Sequence, residues 1–256
     1  RRRHTRLQGD WSSDVCSSDL TIIFLFYTFH YLSKITSLEI NIQDVFNVKK
    51  IQSIFNINFN IFIRTTLLTF SFLYFTYLGN SISEDVVAAN TILLNLTMLS
   101  AFILDAYAFS TEGVVGYSIG AKDKKLLKSV IKNSFILSAA SSLIICVIFL
   151  IGKNSFIEMM TDIPDIREIS FSYSNWVVII PFISSFCFQF DGIFVGASQT
   201  KELRNAMIIS VGIYVLSSFY LLANFGNTGL WISLCIFFIA RALTLFLYLG
   251  KIIGRV

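Results

Sequence analysis

The sequence predicts an all-α integral membrane protein: a lobe of six transmembrane helices preceded by the remnant of another. Three observations carry that expectation. Hydrophobic residues make up 55% of the 256-residue chain and charged residues only 14%, whereas about a quarter of an ordinary soluble domain is charged. The mean hydropathy of +0.70 comes from repeated apolar runs with the charges gathered between them, as a bilayer demands of segments that satisfy their own backbone. Lys and Arg also alternate from one inter-run segment to the next, which is the signature of orientation across a membrane.

Taken in order, residues 1–20, RRRHTRLQGDWSSDVCSSDL, are polar and give way to TIIFLFYTFHYL without a linker. This leader resembles a translated sequencing adaptor and is expected to be non-native, so it stays outside the fold reading. Residues 21–32 are too short to cross a hydrocarbon core that needs about 20 apolar residues, and read as the truncated end of a transmembrane helix. Residues 33–58, with Lys34, Glu39, Asp44, Lys49 and Lys50, form a cytoplasmic connector. The lobe is expected over 59–250, with spans at 61–78, 86–119, 130–151, 171–197, 206–223 and 230–249, and 251–256 as a cytoplasmic tail. Gly79 and Asn80 close the first span and Gly120 the second. The second run exceeds one membrane thickness and is expected to tilt or project. No strong internal repeat stands out.

The segments after Leu32, after Gly120, after Ala197 and after Leu249 hold twelve Lys or Arg, among them Lys122, Lys124, Lys125, Lys128 and Lys132. The intervening segments hold Lys153 and Arg167 together with Glu84, Asp85, Glu158, Asp162, Asp165 and Glu168. The first set is therefore expected in the cytoplasm, which puts the C-terminus there too, in a multi-pass inner (plasma) membrane protein.

Composition and motifs exclude several classes. The net charge of +4 is not organised into a basic stripe with interleaved aromatics, so nucleic acid is not an expected partner. Of the four cysteines, Cys146, Cys187 and Cys235 fall inside apolar runs and read as small buried hydrophobes, with no disulfide or metal spacing. No Walker or Rossmann glycine pattern and no HExxH is present, and the two histidines, His4 and His30, precede the lobe. An enzyme, a metal site and a cofactor are not expected.

Charges inside spans are costly and tend to face a cavity or one another, which makes Arg64, Asp105, Glu112, Asp191 and Arg241 the candidate site residues. Arg64 lies one turn inside its span, where it either snorkels to the headgroups or pairs with an acid. Asp105 and Glu112 are seven apart, almost two helical turns, and share one face about 10 Å apart along the axis. Asp105 is the deeper and is expected to line a cavity; Glu112 either does the same or is solvated. Asp191 sits in FQFDGIFVG, where Gly192 and Gly196 give the small-xxx-small spacing that admits a neighbouring helix. In that setting an acid either binds a cation or exchanges a proton. Arg241 lies mid-span, and its plain structural reading is an ion pair with Asp191 or Asp105. Pro181 interrupts the fourth span ten residues before Asp191, as a gating kink or a tolerated proline.

Four segments, FIRTTLLTFSFLYFTYLG, AANTILLNLTMLSAFILDAYAFSTEGVVGYSIGAKD, FQFDGIFVGASQTKELRNAMIIS and ARALTLFLYLG, resemble in order and spacing the C-terminal lobe of a multidrug and toxic compound extrusion (MATE) transporter of the DinF-like branch. The resemblance covers nearly all of 51–250. It implies one six-helix lobe of a twelve-helix antiporter that exports lipophilic or cationic small molecules on proton or sodium flow, with an N-terminal lobe as the missing partner. It also implies a cavity role for Asp191 in cation coupling, and places Asp105 and Arg241 at positions typical of the branch. Arg64 departs from the pattern, standing near where sodium-coupled relatives have a glutamate. The aspartate to which proton coupling is ascribed in the branch lies on a first helix outside this sequence. Two rival readings are a lipid-linked oligosaccharide flippase of the same superfamily and a non-transporting membrane scaffold.

Overall fold

The structure is a computed structural model that describes residues 22–31 and 48–254. The leader 1–20 and connector residues 33–47 lie outside the described residues. The helices are α1 (Ile22–Tyr31), α2 (Val48–Asn80), α3 (Glu84–Gly120), α4 (Lys124–Met160), α5 (Pro164–Tyr173), α6 (Asn175–Gly196) and α7 (Thr200–Ile253). The chain divides into two compact units, Arg1–Ser53 and Ile54–Val256. Helix α1 belongs to the first, and the helical bundle is the second. Among the described residues five helices, α2, α3, α4, α6 and α7, are long and apolar enough to cross a membrane.

The fifth of these, α7, is two spans. At Gly226 the backbone takes φ 54° and ψ −135°, a conformation open to glycine and strained for other residues. The chain doubles back there. Lys251 reaches Glu202 at 3.5 Å and the rings of Tyr214 and Phe237 lie 5.6 Å apart, whereas residues 202 and 251 of a straight helix would be roughly 70 Å apart. The expected fifth and sixth spans are therefore the arms 200–225 and 227–253, joined with almost no loop.

The other boundaries shift for local reasons. Helix α2 is already formed at Val48, inside the expected connector. Helices α3 and α4 run to 37 residues each, past their apolar centres, until a capping residue is met. Ser83 accepts from the Val86 N–H at 3.2 Å and Asp123 from the Leu126 N–H at 2.9 Å, each satisfying an orphan donor of the first turn. Glu84 and Asp85 add favourable charge at the α3 N-terminus. The fourth span is shorter than the expected 171–197. Pro164 starts the separate helix α5, and three-residue bonds from Ser174 N–H to Phe171 and from Val177 N–H to Ser174, both 3.2 Å, divide it from α6.

One repetition appears that the sequence pattern alone did not bring out. Helices α3 and α6 end in GAKD and GASQ, and both close in the same turn, with Lys122 and Ser198 at φ 54°. Asp123 N–H bonds to Ser118 and Gln199 N–H to Phe194, at 3.0 and 2.8 Å, the six-to-one closure of a helix end.

Helix α6 is the hub, packed by α3, α4 and α7. One apolar cluster gathers Phe75, Leu93, Ile180, Trp231 and Phe237, and a second, toward the lysine-rich end, gathers Leu127, Phe194, Leu203 and Leu245. Phe75 and Trp231 meet edge to face at 4.9 Å. Near the Gly226 reversal a polar clasp is buried: Asn90 and Asn227 exchange amide bonds of 2.7 and 3.0 Å, and Trp231 Nε1 donates to Asn90 Oδ1 at 3.1 Å. Every polar group in it finds a partner, as burial requires.

Candidate functional site

The site is built where α2, α3, α6 and the second arm of α7 converge. Its placement follows from two glycines. A Cβ at Gly192 would run into the backbone of Ala108, and one at Gly196 into that of Glu112, so α6 lies directly on the main chain of α3. This close approach brings Asp191 beside the stripe that carries Asp105 and Glu112, the packing expected of the small-xxx-small spacing.

Asp191 is 7% exposed and its Oδ2 accepts from two guanidiniums, Arg64 from α2 and Arg241 from α7. Arg241 is almost wholly buried, at 1%. Arg64 does not snorkel to the headgroups; a buried carboxylate within reach outweighs the interface for a fork-shaped donor. Two guanidiniums thus share one carboxylate oxygen inside the lobe. Arg64 Nε, Arg241 Nε and Nη1, and Asp191 Oδ1 are buried without a hydrogen-bond partner.

A cavity of about 120 Å³ adjoins the cluster, lined by Arg64, Asp105, Glu112 and Asp191 together with Ile61, Phe109 and Leu203. The three expected acids thus share one cavity wall with one of the two arginines. Pro181 lies elsewhere: it is buried within the uninterrupted helix α6, and its carbonyl accepts the Ser184 hydroxyl at 3.3 Å. Cys187 and Cys235 are buried and Cys146 partly so.

Two polar clusters next to the site escaped the sequence reading. Arg204 donates to Asn60 Oδ1 at 2.9 Å, and Asn60 donates to Thr200 at 3.4 Å. Asn60 lies one turn from Arg64, so this cluster caps the charged junction on its lysine-rich side. Gln189, fully buried two residues before Asp191, donates to Thr111, whose hydroxyl donates to the Tyr107 carbonyl at 2.8 Å. The available signal was the four-residue spacing of Asn60 and Arg64, which stacks them on one helix face.

Comparison with known proteins places this geometry in a family. The MatE family profile matches residues 61–220. "DNA damage-inducible protein F" of Escherichia coli (strain K12) is 31% identical over 189 residues, covering 74% of this chain and 41% of that protein. "Probable multidrug resistance protein NorM" of Photorhabdus laumondii is 26% identical over 175 residues, covering 66% of this chain and 39% of that protein. The chain therefore spans about two fifths of the length of these relatives. Among solved structures, the bent form of the Vibrio cholerae MATE transporter VcmN superposes with a TM-score of 0.77 at 15% identity, over 88% of this chain and 51% of that one. The bundle is the fold shared with that transporter, and the chain belongs to the MatE family.

Proposed function

We propose that this chain is one lobe of a secondary active efflux transporter that exports lipophilic or cationic small molecules by proton- or sodium-coupled antiport. The carrying observation is the buried Asp191, bridged to Arg64 and Arg241 and opening on a cavity walled by Asp105 and Glu112. Ionisable groups at this depth in a membrane bundle mark ion and substrate routes. Orphaned nitrogens on both arginines give the cluster capacity to re-pair when a cation or proton reaches the acids. The remaining lobe of the same protein is the partner, and the lysine-rich ends, with the C-terminus, face the cytoplasm.

The test is efflux of a fluorescent lipophilic cation from cells making the complete protein. Asp191→Asn is expected to abolish efflux while the protein still reaches the membrane; unchanged efflux overturns the coupling role of Asp191. Imposing a proton gradient and a sodium gradient separately on proteoliposomes distinguishes the two coupling ions.

The two guanidiniums at Asp191 favour one second reading, a flippase of lipid-linked oligosaccharide, whose pyrophosphate suits arginine. The carboxylates of Asp105, Glu112 and Asp191 on the same wall weigh against it. A glycan-export defect in a deletion strain with unaltered drug sensitivity reverses the ranking.

A further inference from the structure

Helices α3 and α4 leave a groove of about 290 Å³ on the side of α3 away from Asp105 and Glu112. Its α3 wall carries Tyr107, Ser110 and Thr111 and its α4 wall Ser129, Asn133 and Ser134. Hydroxyls and an amide on an outer face of a transmembrane bundle are out of place against acyl chains, which offer no hydrogen bonds. Some are tied locally: Ser134 to the Ile131 carbonyl at 2.9 Å, and Asn133 to Ser129 at 3.4 Å. Ser110, Ser129 and Asn133 nevertheless stay exposed. None of the residues lining the groove is a carboxylate.

The height of the groove explains this polarity. Helix α4 has 37 residues, about 55 Å at 1.5 Å per residue, against a hydrocarbon core of about 30 Å. Its apolar stretch starts beyond Ser134, so its first turns stand at headgroup level. Lys125, Ser129, Lys132 and Asn133 recur at i, i+4, i+7 and i+8 and share one exposed face, which sets two ammonium groups beside Ser129, at the edge of the groove and outside its lining. Farther along the same helix Ile136, Leu137, Leu143 and Ile144 are more than half exposed, an apolar track leading away from the polar end. Positive rim, hydroxyl-lined floor and apolar track come in the order of phosphate, glycerol and acyl chain.

We propose that this groove binds an anionic glycerophospholipid, its phosphate between Lys125 and Lys132 and its glycerol region against Ser129 and Asn133. The groove is separate from the charged cavity, and the proposal does not depend on what is transported. Basic pockets between transmembrane helices are a recurrent way of holding acidic headgroups.

The experiment uses the complete protein in nanodiscs of phosphatidylcholine with and without phosphatidylglycerol, with retained lipid counted by native mass spectrometry. Phosphatidylglycerol is expected to be retained over phosphatidylcholine. Lys125→Gln with Lys132→Gln is expected to weaken that retention about 30-fold, two lysine contributions of about 1 kcal/mol each, with unfolding temperature unchanged. Lys201→Gln with Lys251→Gln, at the same end of the bundle but on α7, is expected to have little effect. Equal loss from both pairs, or equal retention of the two lipids, overturns the site in favour of diffuse surface charge. A photocrosslinker at Asn133 that captures polypeptide in place of lipid overturns it by giving the groove a protein occupant.

Discussion

Arg241 donates to Asp191 across fifty residues of sequence, from the second arm of α7 to α6, with both side chains buried. Removing one partner of such a pair strands the other charge, at a cost of about 3–5 kcal/mol, whereas replacing the ions together by apolar residues is far milder. Asp191→Ala is therefore expected to lower the unfolding temperature sharply in detergent or nanodiscs. Asp191→Leu combined with Arg64→Met and Arg241→Met should recover much of the loss, and failure to recover would show that the ion cluster is not the main contributor.

The seam between α3 and α6 sets a second expectation. Gly192→Ala places a methyl group on the Ala108 backbone, which cannot move as a side-chain tip can, and is expected to cost about 1–3 kcal/mol or more. Gly212→Ala, with nothing within 4 Å of the added carbon, is the matched control and should be neutral or slightly stabilising. Thermal unfolding of the two variants side by side checks this.

The clasp near Gly226 supplies a third. Asn90→Leu removes the partner of both Asn227 and Trp231 Nε1, and each buried group left unsatisfied costs about 1–3 kcal/mol. Hydrogen exchange should quicken at the start of α3 and around the reversal of α7, with α4 unchanged.

Orientation is checked by thiol labelling in a cysteine-free background. Ser81 and Ala121 are exposed at opposite ends of the bundle, after α2 and after α3. A membrane-impermeant reagent added to intact cells is expected to modify Ser81→Cys and to spare Ala121→Cys until the cells are opened. The reverse pattern would invert the topology drawn from Lys122, Lys124, Lys125 and Lys128.

Much of this architecture was legible from hydropathy, because a bilayer allows few alternatives to apolar helices and the lysines fix their alternation. The ends were less so. Nothing in the apolar runs shows that α4 continues to Met160, since a helix outside the core is limited by caps and not by grease. Gly226 read as part of a loop because Asn224, Asn227 and Thr228 surround it, whereas both arms of α7 take these polar residues into helix up to the reversal. At the site, Asp191, Asp105 and Glu112 stood out through the cost of burying charge, and the glycine spacing pointed to a close helix beside them. That Arg64 and Arg241 would share a single oxygen was not readable, because it depends on how three helices from distant parts of the sequence cross. Asn60 and Arg204 went unnoticed for the same reason.

Gly192 and Gly196 place main chain against main chain, with no layer of side chains between α3 and α6. Side chains are what allow packed helices to slip, by exchanging rotamers; a bare seam has none to exchange. The two helices act as a splint that carries Asp105, Glu112 and Asp191 at fixed separations. Any opening of the acid-walled cavity then has to come from α2 or from the second arm of α7, the carriers of Arg64 and Arg241. On the proposed antiport reading, the negative charges are the anvil and the positive charges are the part expected to travel.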